Sequence, residues 1–188
     1  MSLFENITNN TMNVSHIFAK ELHKKYLREN CLDLWENTPF KGYALLNNKQ
    51  KGNYGENIII DIMTHIGYNV RHRENSGHDM IIEGITAEAK FSLAQTNHKQ
   101  KKILSDVFII NHVSLNKDWE RVIFVGINPD NNHRMFWFSK TDFKAILYKK
   151  YFSVQQGGQK GNNDDYICSG KKIIELSCSP YVKALSEW

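Results

Sequence analysis

Residues 77–91 read GHDMIIEGITAEAKF, and this stretch decides the fold. Gly84 divides it into two runs of strand length: Asp79 opens the first, and Glu88 and Lys90 lie near the end of the second. Side chains two apart on a strand share a face, so Glu88 and Lys90 project together while Ala87, Ala89 and Phe91 face the other way. A hairpin through Gly84 brings Asp79 beside them. Two carboxylates, joined by the Ala89 carbonyl oxygen, offer the hard ligands that Mg²⁺ prefers, with water and a phosphate oxygen left to complete its octahedron. A lysine at the next position can orient an attacking water, help deprotonate it, or stabilise a pentacovalent phosphate. These are the needs of metal-assisted phosphodiester hydrolysis.

Working outward, Asn53 and Glu56 form an N-x-x-E capping signature. Ile58, Ile59, Ile62, Met63 and Ile66 then repeat on one helical face before Gly67, which predicts a helix ending there. Residues 68–73, 79–83 and 86–91 read as an antiparallel meander, separated by ENSGH and by Gly84. Residues 95–104 are polar, a short helix or a crossing loop. Apolar runs at 107–113 and 121–127 read as central strands covered on both faces, and 134–138 adds another strand. Ser139 with Asp142 forms a capping box opening a helix through Tyr148. On the N-terminal side, apolar residues over 15–35 have helical spacing broken near Asn30, predicting two helices. Residues 155–166, QQGGQKGNNDDY, are too polar and glycine-rich to pack and are expected to be exposed.

The 188 residues fit one domain, 41% apolar and 12% aromatic, with no run approaching the ~20 apolar residues a membrane helix needs. The first residues carry neither a basic start nor an apolar run, so the expected location is the cytoplasm. Cys31, Cys168 and Cys178 cannot all pair and are read as reduced thiols. The histidines show no zinc-ligand spacing. Trp119, Phe124, Phe136, Trp137 and Phe138 are expected in the core. A net charge of +4 is compatible with a polyanionic partner. The fold class expected is α/β or α+β, with a central mixed sheet flanked by helices. Residues 1–50 would form a helical accessory layer, 53–148 the catalytic core and 149–188 a loop and C-terminal segment.

His78-Asp79, eight residues, then Glu88-Ala89-Lys90 resembles the signature of the PD-(D/E)xK nuclease superfamily, which includes many type II restriction endonucleases and some repair and recombination nucleases. The likeness covers roughly residues 53–148, and His78 replaces the motif's proline, which contributes no ligand. The resemblance implies a restriction-endonuclease-like core and one or two Mg²⁺ ions per site, held by Asp79, Glu88 and the Ala89 carbonyl, with Lys90 catalytic. It also implies a further acid from the preceding helix. Glu56 shares a helical face with Ile59, Ile60 and Met63, which points it towards the sheet; its other role would be to cap the helix through the Asn53 amide.

The partner implied is double-stranded DNA, cut by a homodimer with one site per strand. Lys49, Lys51, Arg71, Arg73, Lys99, Lys101 and Lys102 would meet phosphates. Gln155, Gln156, Gln159, Asn162 and Asn163 could read adenine edges, and Lys160 guanine. Two alternatives are a repair or junction-resolving nuclease with the same site, and a non-catalytic DNA-binding module. No helix-turn-helix pattern supports the latter.

Overall fold

The computed structural model describes residues 33–72, 77–130, 132–155 and 164–188, so the helices expected over 15–35 lie outside it except for residues 33–35, which are not helical. The first α-helix among the described residues, α1 (Asn48–Ile66), begins earlier than Asn53 and Glu56 would place it. Its capping box is Asn47 with Gln50: the Asn47 side chain accepts from the Gln50 amide at 2.9 Å, and the Gln50 side chain accepts from the Asn47 amide at 3.0 Å. Glu56 is therefore an interior residue of the helix and not part of a cap. Ile58, Ile59, Ile62, Met63 and Ile66 are buried as their spacing requires. Gly67 stops the helix in the left-handed conformation, φ 111°, and its N–H bonds back to the Met63 and Thr64 carbonyls.

The meander follows as β1 (Val70–His72), β2 (Met80–Ile82) and β3 (Ile85–Leu93), each pair antiparallel. Glu83 and Gly84, φ 50° and 83°, make the two-residue turn between β2 and β3. Residues 95–104, read as a short helix or crossing loop, instead form a small hairpin of β4 (Thr96–Asn97) and β5 (Lys102–Ile103). Strands this short carry no periodicity to read. Next come β6 (Ile109–Val113), β7 (Arg121–Ile127) and β8 (His133–Ser139). Of the two strands expected at the centre, only β7 is there: the main sheet runs β1-β2-β3-β7-β8, with β3 and β7 parallel and the other pairs antiparallel. β6 belongs to a second sheet, because an apolar run reports burial and not its neighbour.

Ser139 and Asp142 cap α2 (Lys140–Tyr148) as expected. The chain then forms β9 (Ser153–Val154), β10 (Tyr166–Ser169), which joins β6 and β9 in the second sheet, and α3 (Lys171–Ser177). The result is the expected α+β domain with a central mixed sheet, and three helices among the described residues.

The two faces of β3 have different neighbours. α1 comes so close that a Cβ at Gly55 would stand 2.5 Å from the Phe91 Cβ, so only glycine permits the approach. On the other face β6 crosses, its Ile109 amide donating to Ser92 Oγ at 3.2 Å. Trp119, Phe124, Phe136, Trp137 and Phe138 are all buried. Cys168 and Cys178 are free, and burial pushes the Cys168 thiol up to about 12. No described helix is long and apolar enough to cross a membrane.

Candidate active site

The site forms where a backbone ladder ends. The β2–β3 pairing stops at Met80 opposite Ala87, and the Asp79 amide donates to the Ala87 carbonyl at 2.9 Å. The next inward amide of β3, that of Ala89, has no strand partner there and donates to Asp79 Oδ2 at 2.8 Å. The Asp79 carboxylate thus takes the place of a backbone carbonyl, which fixes its position better than a free rotamer would. A strand residue's amide and carbonyl project to the same edge, so the Ala89 carbonyl lies on the side where Asp79 sits.

Glu88 and Lys90 share the face towards β6, as the alternation predicts. Lys90 Nζ donates to Glu88 Oε1 at 2.8 Å and to the His112 carbonyl at 3.2 Å. A second lysine, Lys117, donates to the same Oε1 at 2.6 Å. Glu88 is only 2% exposed, yet its other oxygen, Oε2, has no hydrogen-bond partner among the described residues. Burial pushes the Asp79 carboxyl above its usual range and the Glu88 charge adds to this; the Ala89 amide and the two lysines offset only part of it. For Glu88 burial acts in the same direction, but Lys90 and Lys117 together outweigh it and hold the carboxyl below its usual range. The two neighbouring acids are thus shifted in opposite directions, Asp79 upward and Glu88 downward.

These groups open into a cleft of about 660 Å³ whose walls include Lys51, Gly55 and Glu56 of α1 and the segment from Ala89 of β3 to Ala94 just beyond it. Glu56 therefore stands at the cleft wall with Asp79 and Glu88. No group of three or more His, Cys, Asp or Glu side chains among the described residues is placed to hold a metal. A cation here would rest on Asp79, Glu88 and the Ala89 carbonyl, without Glu56 as a close third carboxylate.

The basic residues divide. Lys51 lines the cleft, while Lys49 is exposed outside it and Arg71 is exposed on β1. Lys99, Lys101 and Lys102 are exposed on the β4–β5 hairpin, which contributes Thr96 of β4 and His98 of the turn to the cleft. Gln155 accepts from the His112 amide at 3.3 Å, so it stands behind the carbonyl that receives Lys90. Arg73, Gln156, Gln159, Lys160, Asn162 and Asn163 lie outside the described residues. Sequence reasoning missed Lys117 and the His112 carbonyl. The one trace of Lys117 was a polar turn, SLNKD at 114–118, between two apolar runs.

The sequence matches no protein-family model and no curated protein. The fold resembles the solved structure of a bacterial homing endonuclease. The identity is 13% and the TM-score 0.37, over 62% of this chain and 81% of that one.

Proposed function

We propose that this protein is a Mg²⁺-dependent endonuclease of double-stranded DNA with a PD-(D/E)xK site, acting in a sequence-specific, restriction-type manner as a homodimer. One observation carries the reading: Asp79, pinned to the Ala89 amide, stands beside a buried Glu88 whose Oε2 has no hydrogen-bond partner among the described residues. A buried carboxylate oxygen without a donor is costly, and an oxygen-seeking cation would satisfy it. Two carboxylates and a carbonyl suit Mg²⁺, which keeps several waters and takes few protein ligands. Bound there, the ion would set positive charge against the phosphate and acidify water.

The chain's own groups do the rest. Lys90 spends two of its three N–H donors on Glu88 and His112, which leaves one for a water or a phosphate oxygen. Lys117 places a second ammonium on the same carboxylate. Both lysines converge on Glu88 Oε1 and leave Oε2 to a further ligand in the cleft, which favours the nuclease reading over the binding-module alternative. One site cuts one strand, and a two-fold dimer supplies one site for each.

Incubation with mixed-sequence duplex DNA tests the reading. Discrete fragments with Mg²⁺ and none in chelator are expected. Cutting confined to branched DNA would move the assignment to a junction-resolving enzyme, and full activity in chelator would remove the metal from it. With Ca²⁺ in place of Mg²⁺, gel shifts should persist while cleavage nearly ceases, because the larger, looser shell positions water poorly.

In the same proposal the polar segment around Gln155 carries part of the base recognition. Replacing Gln159 and Asn163 with alanine is expected to cost about 1–3 kcal/mol of discrimination per lost bidentate contact, whereas Lys101→Ala should weaken all DNA alike and flatten the salt dependence. Comparing cognate and random duplexes at two salt concentrations separates the two. A double variant that still discriminates like the parent would place recognition elsewhere.

A further inference from the structure

Both lysines at Glu88 are held from behind by one short stretch of chain, and we infer that Asp164 and Asp165 are positioning residues for them. Asp164 accepts three bonds from the turn that leads into Lys117: from Ser114 Oγ, from the Leu115 amide at 3.0 Å and from the Asn116 amide at 2.8 Å. The far side of that turn is tied as well. Trp119 Nε1 donates to the Ser114 carbonyl at 2.7 Å, and Lys140 Nζ to the Lys117 carbonyl at 2.6 Å. The Lys117 side chain is 41% exposed, and a lysine that open ordinarily keeps its rotamer freedom. Here the backbone beneath it is fixed, which aims the ammonium at Glu88.

Asp165 acts on the other lysine through His112. The β6–β10 register shifts between the pairs Tyr166–Val113 and Cys168–Ile110, and within that bulge His112 takes the left-handed conformation, φ 54°. Bulges beside active sites re-aim groups, and a non-glycine residue in this region needs its surroundings to hold it. Asp165 Oδ2 pairs with His112 Nδ1 at 2.9 Å, and Gln155 accepts from the His112 amide. The carbonyl so aimed is the one that receives Lys90. Carboxylates outside the cleft thus set both cations inside it.

The catalytic meaning of this arrangement rests on the nuclease reading; the placement of the lysines does not. Two measurements on the full chain keep them separate. In ¹H–¹⁵N spectra tuned to lysine side chains, the parent should show a slowly exchanging Lys117 ammonium signal. Asp164→Ala should lose it, and Asp165→Ala should lose the Lys90 signal instead. On duplex DNA with Mg²⁺, Asp164→Ala should lower kcat by roughly 10- to 100-fold with KM unchanged, the scale of losing a supporting contact behind a ligand. In a Lys117→Met background it should lower kcat no further. Asp164→Asn, which keeps one acceptor oxygen, should fall between the two and covers the case in which Asp164→Ala folds poorly. Retention of the Lys117 signal in both Asp164 variants, or an equal loss of kcat in the Lys117→Met background, overturns the inference. A parent that cuts no DNA overturns the nuclease reading instead, and the ammonium signals still decide the placement.

Discussion

Asp79→Ala is expected to lower DNA cleavage by roughly 10³-fold or more while duplex binding stays near that of the parent. Losses of this size follow removal of a single essential group at a preorganised site. Asp79 is the carboxylate fixed on the Ala89 amide beside Glu88, and Glu56, the other acid of the cleft, forms no metal-holding group of three with them among the described residues. Binding should survive because the expected phosphate contacts come from other side chains, the exposed Lys99, Lys101 and Lys102 of the hairpin. Glu88→Gln should be equally inactive and is the better variant at that position. Glu88→Ala would strand the Lys90 ammonium, 13% exposed, without its counter-charge, and losing one partner of a buried pair costs on the order of a few kcal/mol. Single-turnover cleavage and gel shifts, with thermal melts to confirm folding, make the measurement. Near-parental turnover by Asp79→Ala would sink the assignment of the site.

Phe143→Ala is expected to destabilise the fold by about 3–5 kcal/mol, lowering Tm by roughly 2–4 °C for each kcal/mol. Phe143 is fully buried on α2 and lies at the centre of an aromatic cluster. It stacks on Phe138 at 5.5 Å between ring centroids and meets Phe152, Tyr166 and Trp119 edge-on at 5.1, 5.7 and 5.8 Å. Trp119 is the residue whose indole holds the turn before Lys117. The cavity should therefore be felt at the site, and activity should fall faster with temperature than unfolding alone explains. A Tm within a degree or two of the parent would show that the cluster contributes little.

Much of this architecture was legible because the chemistry was local. Glu83 and Gly84 form the turn that glycine allows, Gly67 ends α1, and Ser139 with Asp142 opens α2. Glu88 and Lys90 meet because alternation puts them on one face. What was misread turns on partners that no pattern records. Asn53 and Glu56 have capping chemistry, but Asn47 and Gln50 have it too, six residues earlier, and the helix began there. The β4–β5 hairpin is too short to show a period, and β6 reads like a central strand although it pairs with β10. Lys117 comes from a turn 29 residues beyond Glu88, and only tertiary structure brings the two together.

The parallel pairing of β3 with β7 also dictates when the site exists. The meander closes across a two-residue turn, and Asp79 reaches Ala89 over a sequence distance of only 10. The other edge of β3 waits for residues 34 positions away, as in the contact of Thr86 with Glu120. Closing so long a loop costs chain entropy before any contact returns it, so this step falls late in folding. A growing chain would carry both acids long before β7 docks and brings the Lys117 turn with it. In the proposed nuclease, activity would then arrive with the finished domain, not build up along the chain as it is made.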